Sequence, residues 1–376
     1  MFFFCKSARS NYVVPLVAKK QPESWNLLPE NVQIRIIEYL TPKEKGRLSS
    51  TSKSNYDIVK KVPTYIHWLS FCPFRHNGKR RTAEVLIYFD EQKLKSYVFT
   101  FEKIKDGKVV FIEKDDKKDT MIRFPWKGDY IKAANDCFEG VLTNAKVHTL
   151  DIRGEYTGKL PSKIEVTNLS ITDKYTLSTT AIPAWLDAIP EGEIHFMLMS
   201  DHWDRILSHK HFSNPMSTCQ LTGYDGIGYE DLSQICCRQI KLNHIKDERS
   251  FNYLAKKWSA GNLPQVFDWL IATSATRLFN IEKLLEDLKV EELNGNIFED
   301  NDRTSGVVHY LVSGSNGQYA VFSGVANFAR ISVINAELIK EYPQLQSYLD
   351  ERIKKLVEIK TEACGRSVKE VKKICF

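Results

Sequence analysis

The chain has 376 residues, of which 43% are hydrophobic and 27% are charged, and its formal net charge is +6 at pH 7. This length and composition allow a substantial core and favour two or three domains, and the charged fraction is close to the globular average. The small positive charge allows an acidic partner but gives no reason to expect nucleic acid.

Cysteine usage and the N-terminus bear on location. The eight cysteines are scattered without the spacing of a disulfide framework, which predicts reduced thiols in an intracellular protein. The apolar run at the N-terminus stops at Lys6, too early for a secretory signal, and no stretch is long enough to span a membrane. We therefore expect a flexible leader at residues 1–23, no membrane association, and a cytoplasmic or nuclear location.

Residues 24–62 have the pattern of a small helical module. Leu28-Pro29 opens a helix, since proline suits a first helical position, and Glu30 follows where the helix dipole favours an anion. Apolar residues at helical spacing then predict one broad stripe, from which Ile34 points away: Val32, Ile36, Ile37 and Leu40.

Two more short helices are predicted in this module. Thr41 and Glu44 form a capping box with Pro42 at the first position, and Leu48 is the large apolar residue of that helix. Another serine and threonine run precedes the segment that contains Tyr56. So few apolar residues cannot make a stable core alone. The module is therefore either the cap of a larger domain or a unit that completes its core on a partner.

This pattern resembles an F-box, the module that docks a substrate receptor onto the Skp-family adaptor of an SCF ubiquitin ligase. The chain departs from the family at Lys45 and Gly46, where a leucine is usual. The resemblance implies a Skp-family adaptor as partner and, through it, cullin and RING proteins. The residues that it implies for adaptor binding, divided between contact surface and module core, are Leu28, Pro29, Val32, Ile36, Ile37, Leu40, Leu48 and Tyr56.

Residues 63–146 have the residue pattern of a strand-rich region, in contrast to the helical module before them. β-Branched and aromatic residues predict strands at Tyr65–Leu69, Val85–Phe89 and Tyr97–Phe101, with their aromatics in a sheet core. Asp106-Gly107 predicts a hairpin between the strand ending near Ile104 and the next one.

Residues 147–376 are predicted as a repeat-like α/β region. Short alternating strands recur at uneven intervals near those of leucine-rich repeats, with Ala181–Ile189 as one helical return and Asn243 in the place of the repeat asparagine. An irregular α/β domain is the alternative. The predicted strands are Val147–Ile152, Val166–Ile171, Glu193–Leu198, Thr218–Leu221 and Arg238–Asn243.

The C-terminal part is predicted to contain a helix and a hairpin. Glu248–Leu288 has helical spacing throughout, and strands at Val307–Val312 and Tyr319–Phe322 flank a glycine turn. Phe328–Ile334 adds a third strand, and a charged helix runs from Leu338 to Phe376. This order is similar to the F-box-associated region of a family greatly expanded in nematodes, which implies that the C-terminal region recruits the target.

The sequence contains no catalytic signature and predicts no cofactor. Gly223, Gly226 and Gly228 lack the context of a phosphate loop and predict a turn between a strand and a helix. His209, His211 and Cys219 lack a fourth zinc ligand, and Cys72 with His76 is only half of a finger-like pair. We therefore predict no bound metal.

Two other clusters have ordinary structural interpretations. Cys236-Cys237 is expected to alternate between core and surface in a strand, rather than to perform redox chemistry. The basic cluster Lys79–Arg81 follows the turn Asn77-Gly78 and is expected to be a solvated loop.

The sequence thus predicts an α+β or α/β fold: a helical F-box-like module, then an irregular leucine-rich-repeat-like domain of strands and helices, then a C-terminal helix plus hairpin. The resemblance implies a non-catalytic substrate receptor of an SCF-type ubiquitin ligase with an unknown protein substrate. Two alternatives stay open. One is a repeat-based interaction scaffold unrelated to ubiquitin, and the other is an enzyme with an unrecognised site.

Overall fold

A computed structural model describes most of the chain. The described residues are 23–77, 80–92, 96–102, 108–114, 120–125, 129–154, 156–172, 181–200, 203–274, 278–293, 307–315 and 317–364. The chain divides into two compact units, residues 1–199 and 200–376. The predicted leader lies outside the described residues except for Glu23.

The described part of the first unit begins with four short helices. They are α1 (Glu23–Leu27), α2 (Glu30–Glu38), α3 (Pro42–Ser49) and α4 (Lys53–Lys60). Helices α2, α3 and α4 confirm the predicted helical module, and α1 was not predicted. Strand β1 begins at Thr64, so three residues join α4 to the sheet.

The sheet of the first unit combines an antiparallel and a parallel half. Its strands are β1 (Thr64–Asn77), β2 (Arg80–Tyr88), β3 (Ser96–Glu102), β4 (Lys108–Lys114), β5 (Thr120–Pro125), β6 (Ala145–Arg153), β7 (Val166–Thr172) and β8 (His195–Met199). Their order is β8-β7-β6-β1-β2-β3-β4-β5, with β1 to β5 antiparallel and β1, β6, β7 and β8 parallel. The strands predicted for the first unit are therefore confirmed. The predicted turns at Asn77-Gly78 and Asp106-Gly107 fall partly or wholly outside the described residues.

Two helices complete the core of this unit: α5 (Tyr130–Leu142) and α6 (Ala181–Ala188), the predicted helical return. The rings of Phe71 in β1 and Phe138 in α5 pack at a tilt of 45° with centroids 5.0 Å apart, and the ring centroids of Tyr156 and Trp185 are 5.4 Å apart. The paired Leu150, Leu169 and Phe196 of three parallel strands are all buried. The prediction that the strand aromatics lie in the sheet core is confirmed for Phe101, which is 1% exposed, and is wrong for Tyr65, which is 58% exposed. The other aromatics of the predicted strands are half-buried: Trp68, Tyr88, Phe89, Tyr97 and Phe99.

The second unit contains seven strands, five α-helices and two short 3-10 helices among its described residues. The strands are β9 (Thr218–Ile227), β10 (Gln239–Ile245), β11 (Trp269–Thr273), β12 (Val290–Glu292), β13 (Val308–Ser313), β14 (Tyr319–Val325) and β15 (Phe328–Val333). The α-helices are α7 (Trp203–Leu207), α8 (Glu248–Ser259), α9 (Ile281–Leu284), α10 (Ala336–Glu341) and α11 (Pro343–Cys364). The strand order is β12-β13-β14-β15-β11-β10-β9, and only β9, β10 and β11 pair in parallel.

One helix prediction in this unit is wrong. The segment Glu248–Leu288 is not helical throughout, because Trp269–Thr273 forms the parallel strand β11 beside β10. Leu270 and Ala272 are buried in the ladder with Ile240 and Leu242. A short apolar run buried in a parallel sheet has no period that separates it from a buried helix.

Three smaller differences concern local conformation. Gly223 and Gly226 lie within β9 rather than in a turn, and Gly226 has a φ of 86° where the pairing with β10 shifts register. Cys237 is buried and Cys236 is half-buried, but both precede β10 instead of lying in a strand. The charged C-terminal helix is interrupted at Tyr342, because Pro343 disfavours the helical conformation of the residue before it.

The leucine-rich-repeat interpretation stays a prediction. Strands β6 to β8 and β9 to β11 each pair in parallel in chain order, as stacked strand-and-return units require. An irregular α/β domain gives the same pairing. Within the described part of the chain, no helix is long and apolar enough to cross a membrane.

Candidate interaction surface

The four N-terminal helices share a small core. Ile37 of α2 is fully buried, and Val59 and Val62 are 3% and 5% exposed. Half-buried apolar residues pack around these three: Trp25, Ile34, Leu40, Leu48 and Ile58. Each helix from α1 to α4 contributes to this cluster, which therefore forms the hydrophobic core of the module.

Polar contacts hold the same helices together. The Trp25 indole donates to Oδ1 of Asn55 at 2.9 Å, and the Gln33 side-chain amide donates to the carbonyl oxygen of Trp25 at 2.8 Å. Asn55 is 1% exposed, so its amide would lack water if the indole were lost. The Lys61 ammonium lies 2.5 Å from Glu30, which adds an exposed contact between the first turn of α2 and the end of α4.

The predicted capping box at α3 is confirmed. The Glu44 backbone N–H donates to the Thr41 hydroxyl at 3.3 Å, and the Thr41 backbone N–H donates to the Glu44 carboxylate at 2.8 Å. The Thr41 backbone and hydroxyl donors hold the pKa of Glu44 below its usual value. Ser52 caps α4 in the same way by accepting from the Asn55 N–H at 3.1 Å.

A stripe of apolar residues stays uncovered on the outer side of α2. Val32 is 37% exposed, Ile36 is 40% exposed and Tyr39 is 88% exposed, and the three recur at spacings of four and three. Two further exposed residues precede these three in the chain: Leu27, the last residue of α1, is 82% exposed, and Pro29 is the N-cap of α2. We call these five residues the outer stripe. Clustered exposure of large apolar residues marks an interaction surface.

The structure divides the eight predicted adaptor-binding residues into three groups. Pro29, Val32 and Ile36 belong to the outer stripe, whereas Ile37, Leu40 and Leu48 pack in or against the core. Leu28 and Tyr56 are half-buried.

The prediction of a single apolar stripe on α2 is therefore wrong in one respect. Ile34 was expected to point away from it, yet Ile34 packs with Ile37 in the core while Ile36 is exposed. Sequence reasoning also missed Leu27 and Tyr39. The spacing of Tyr39, three residues after Ile36 and seven after Val32, was the available signal for it.

Lys45, where the sequence departs from the F-box pattern, is buried. The residue is 6% exposed, and its ammonium donates to the carbonyl oxygen of Pro63 at 3.5 Å, the outer limit of a hydrogen bond. Burial lowers the pKa of Lys45, and the Glu38 carboxylate opposes this only in part. A lysine therefore occupies an interior position between α3 and the start of the sheet at some cost in stability.

The residues considered as metal ligands contact other side chains in the structure. His211 is buried, and its ring stacks on that of His209 with centroids 5.0 Å apart. A hydrogen bond with Cys237 and burial raise the pKa of the Cys219 thiol, so Cys219 stays protonated. No group of three or more potential metal ligands occurs among the described residues. The side chains of His76 and of Lys79–Arg81 lie outside them.

Comparison with known proteins identifies the N-terminal module. The family model for the F-box domain matches residues 25–67, from α1 to the first residues of β1. No curated protein and no solved structure matches the chain. An F-box domain is therefore present at the position where the sequence predicts one, and it is followed by a large mixed sheet.

Proposed function

We propose that this chain is the substrate-receptor subunit of an SCF-type ubiquitin ligase. Its F-box binds a Skp-family adaptor, which joins it to cullin and RING proteins, and the region after the F-box recruits a protein target. The observation that carries the proposal is the match of residues 25–67 to the F-box domain, combined with the outer stripe that this folded module leaves uncovered.

The outer stripe supplies the contact surface in this proposal. Leu27, Val32, Ile36 and Tyr39 present apolar and aromatic side chains without contributing to the cluster around Ile37. A partner can cover them without unfolding the module. Interfaces of this kind draw most of their binding energy from a few large apolar or aromatic side chains at the centre, surrounded by residues that exclude water.

The chain acts by positioning in this proposal and has no catalytic role. Binding adaptor and target together raises the effective concentration of the target near the charged conjugating enzyme, which other subunits hold. The short connection from α4 to β1 suits this role, because three residues allow little independent movement of the F-box against the sheet. Such a ligase would operate in the cytoplasm or nucleus.

The test is co-purification with a Skp-family adaptor. The wild-type chain should recover the adaptor in stoichiometric amount, whereas the Val32→Asp/Ile36→Asp double variant should recover none, because it would place two unpaired charges in an apolar interface. Leu278→Asp is the matched control, since Leu278 is 75% exposed in the second unit. It should recover the adaptor like the wild type.

The alternative is an interaction scaffold unrelated to ubiquitin. A wild-type chain that never recovers an adaptor would favour it over the receptor. Retention of the adaptor at wild-type level by the double variant, with circular dichroism showing a folded chain, would reject the outer stripe as the contact surface.

A further inference from the structure

One face of the second unit's sheet carries a row of side chains that crosses six strands. Each member is the register partner of the next: Gln220, Lys241, Ile271, Arg330, Ser323 and His309. We call this set the basic row. All six residues are half-buried, which places them on an accessible surface and not in the core.

The opposite face of the same strands is the core face. Ile240, Leu270 and Ile331 are buried there in register, and α8 packs against β10 and β11. On the face that carries the basic row, α11 packs on β13 and β14, where Leu311 and Val321 contact Leu345 and Leu349. Beyond this cluster, the side chains of the basic row remain partly accessible to solvent.

Two cations of the basic row have no counterion among the residues that the structure describes. Neither Lys241 nor Arg330 forms an ion pair among the described residues, and Nε of Arg330 is buried without a hydrogen-bond acceptor. A buried donor without an acceptor is costly, and an oxygen supplied by a ligand would satisfy it. Since β11 lies between their strands, the two backbones are about 10 Å apart, twice the spacing of neighbouring strands.

The nearest register neighbours of these cations are neutral. The flanking rows on the same face hold one carboxylate among the described residues, Glu291 of β12 beside Leu311, and it accepts from Tyr348 and pairs with Arg352. The other members are Thr218, Gln239, Trp269, Ser332, Val321 and Leu311 on one side, and Thr222, Asn243, Thr273, Phe328 and Val325 on the other. Asp268, just before β11, is engaged by Arg238 at 2.7 Å. Burial lowers the pKa of His309, so the row's positive charge comes from Lys241 and Arg330.

The flanking row also gives the surface a fixed shape. Asn243 donates to the Thr222 hydroxyl at 3.0 Å, and the Thr273 hydroxyl donates to Oδ1 of Asn243 at 3.2 Å. This ladder ties β9, β10 and β11 together through side chains on the face of the basic row. Half-buried Ile271 and Trp269 supply apolar contact area beside the two cations. A rigid surface with fixed charges loses little entropy when a ligand binds.

We propose that the basic row binds an extended acidic segment of a partner protein, with one carboxylate on Arg330 and a second on Lys241. The guanidinium suits a carboxylate because its N–H donors form a fork that matches both oxygens. A polyproline-II segment rises about 3.1 Å per residue with three residues per turn. Acidic residues three apart therefore project from one side at about the separation of the two strand backbones that carry Lys241 and Arg330. The assignment of this surface to target recruitment rests on the proposed function, whereas the binding itself needs no adaptor.

The test is fluorescence anisotropy with the full chain and a labelled proline-rich peptide that contains Asp-Pro-Pro-Asp. The same peptide with asparagine in place of aspartate should bind much more weakly. Lys241→Gln and Arg330→Gln should each lower the affinity about five- to tenfold, as loss of one charged contact does. Arg330→Lys keeps the charge but loses the fork, so its affinity should fall between those of the wild type and Arg330→Gln.

The matched control is Lys283→Gln. Lys283 is exposed on α9, which packs on α8 at the opposite face of the sheet, so the variant loses the same charge without touching the basic row. Its affinity should equal that of the wild type. Equal melting temperatures for all four variants would show that binding losses do not arise from unfolding.

Three results would overturn the proposal. The first is wild-type affinity in both Lys241→Gln and Arg330→Gln, and the second is an equal loss in Lys283→Gln. The third is tighter binding of a single-stranded oligonucleotide than of the peptide, with the same dependence on Lys241 and Arg330. Adaptor recovery measured on the same variants should stay at the wild-type level, so a failure here is distinguishable from a failure of the proposed receptor function.

Discussion

Ile36 and Ile37 are neighbours in the chain, yet helix α2 exposes one and buries the other. Ile36 is 40% exposed in the outer stripe, whereas Ile37 is fully buried in the core with Val59 and Val62. One side of a single helix therefore stabilises the F-box, and the other side is available to a partner. The pair offers a direct way to separate folding from binding.

Alanine substitution of this pair should produce opposite phenotypes. Ile37→Ala should lower the free energy of unfolding by about 2–5 kcal/mol, because it leaves a cavity in a small core. Ile36→Ala should change it by less than about 0.5 kcal/mol but weaken adaptor binding about tenfold or more. Thermal denaturation and adaptor titration measure the two effects. A strongly destabilised Ile36→Ala variant would place Ile36 in the core and contradict the structure.

Tyr39 should contribute to adaptor binding although it lies outside the set predicted from the sequence. Its side chain is 88% exposed at the end of the outer stripe, so Tyr39→Ala should leave the melting temperature unchanged. Adaptor affinity should fall about fivefold or more, since tyrosine is enriched among the residues that dominate interfaces. Leu278→Ala is the control of comparable exposure. Equal affinities of the Tyr39 variant and the wild type would limit the contact surface to the start of α2.

Lys45→Met should stabilise the chain by about 1 kcal/mol at neutral pH, because it removes a buried cation while preserving the packing of its stem. The matched control is Lys60→Met, an exposed lysine in α4, which should give no gain. The free energy of unfolding of each variant is measured by chemical denaturation. A Lys45 variant less stable than the wild type would show that the contact with Pro63 outweighs the desolvation of the ammonium.

The same lysine should make stability depend on pH with a defined sign. The folded-state pKa of Lys45 is lowered, so between that value and 10.5 the unfolded chain binds more protons than the folded chain. The wild type should therefore gain stability as pH rises through this window, and the advantage of Lys45→Met should shrink. Denaturation of both proteins from about pH 8 upward tests this. A gap that widens with pH would contradict the direction of the shift.

Chelation should leave the melting temperature unchanged. Cys219 is held as a protonated thiol against Cys237, and metal ligation requires the thiolate. The measurement is thermal denaturation with and without a chelator, together with elemental analysis of the purified chain. About one zinc per chain would overturn this prediction.

Local sequence rules determined much of the F-box. Thr41 and Glu44 specify the capping box, and Ser52 specifies the start of α4, because each bond joins residues within one helical turn. The strands β1 to β3, which are rich in aromatic residues, could also be predicted from the sequence, because the alternation of apolar residues and the β-propensity act within each strand. The residue pattern also placed an F-box where the family comparison finds one.

The tertiary structure alone decided which apolar residues of α2 face the core. Residues 32, 34, 36 and 37 are all apolar, so periodicity gives two candidate stripes, and the choice depends on where α1 and α4 pack. The same limit explains β11, which is a strand because β10 and β15 offer it partners on both sides. The basic row depends on register across six strands, from Gln220 to His309. These relationships join residues that are distant in sequence, and no local preference encodes them.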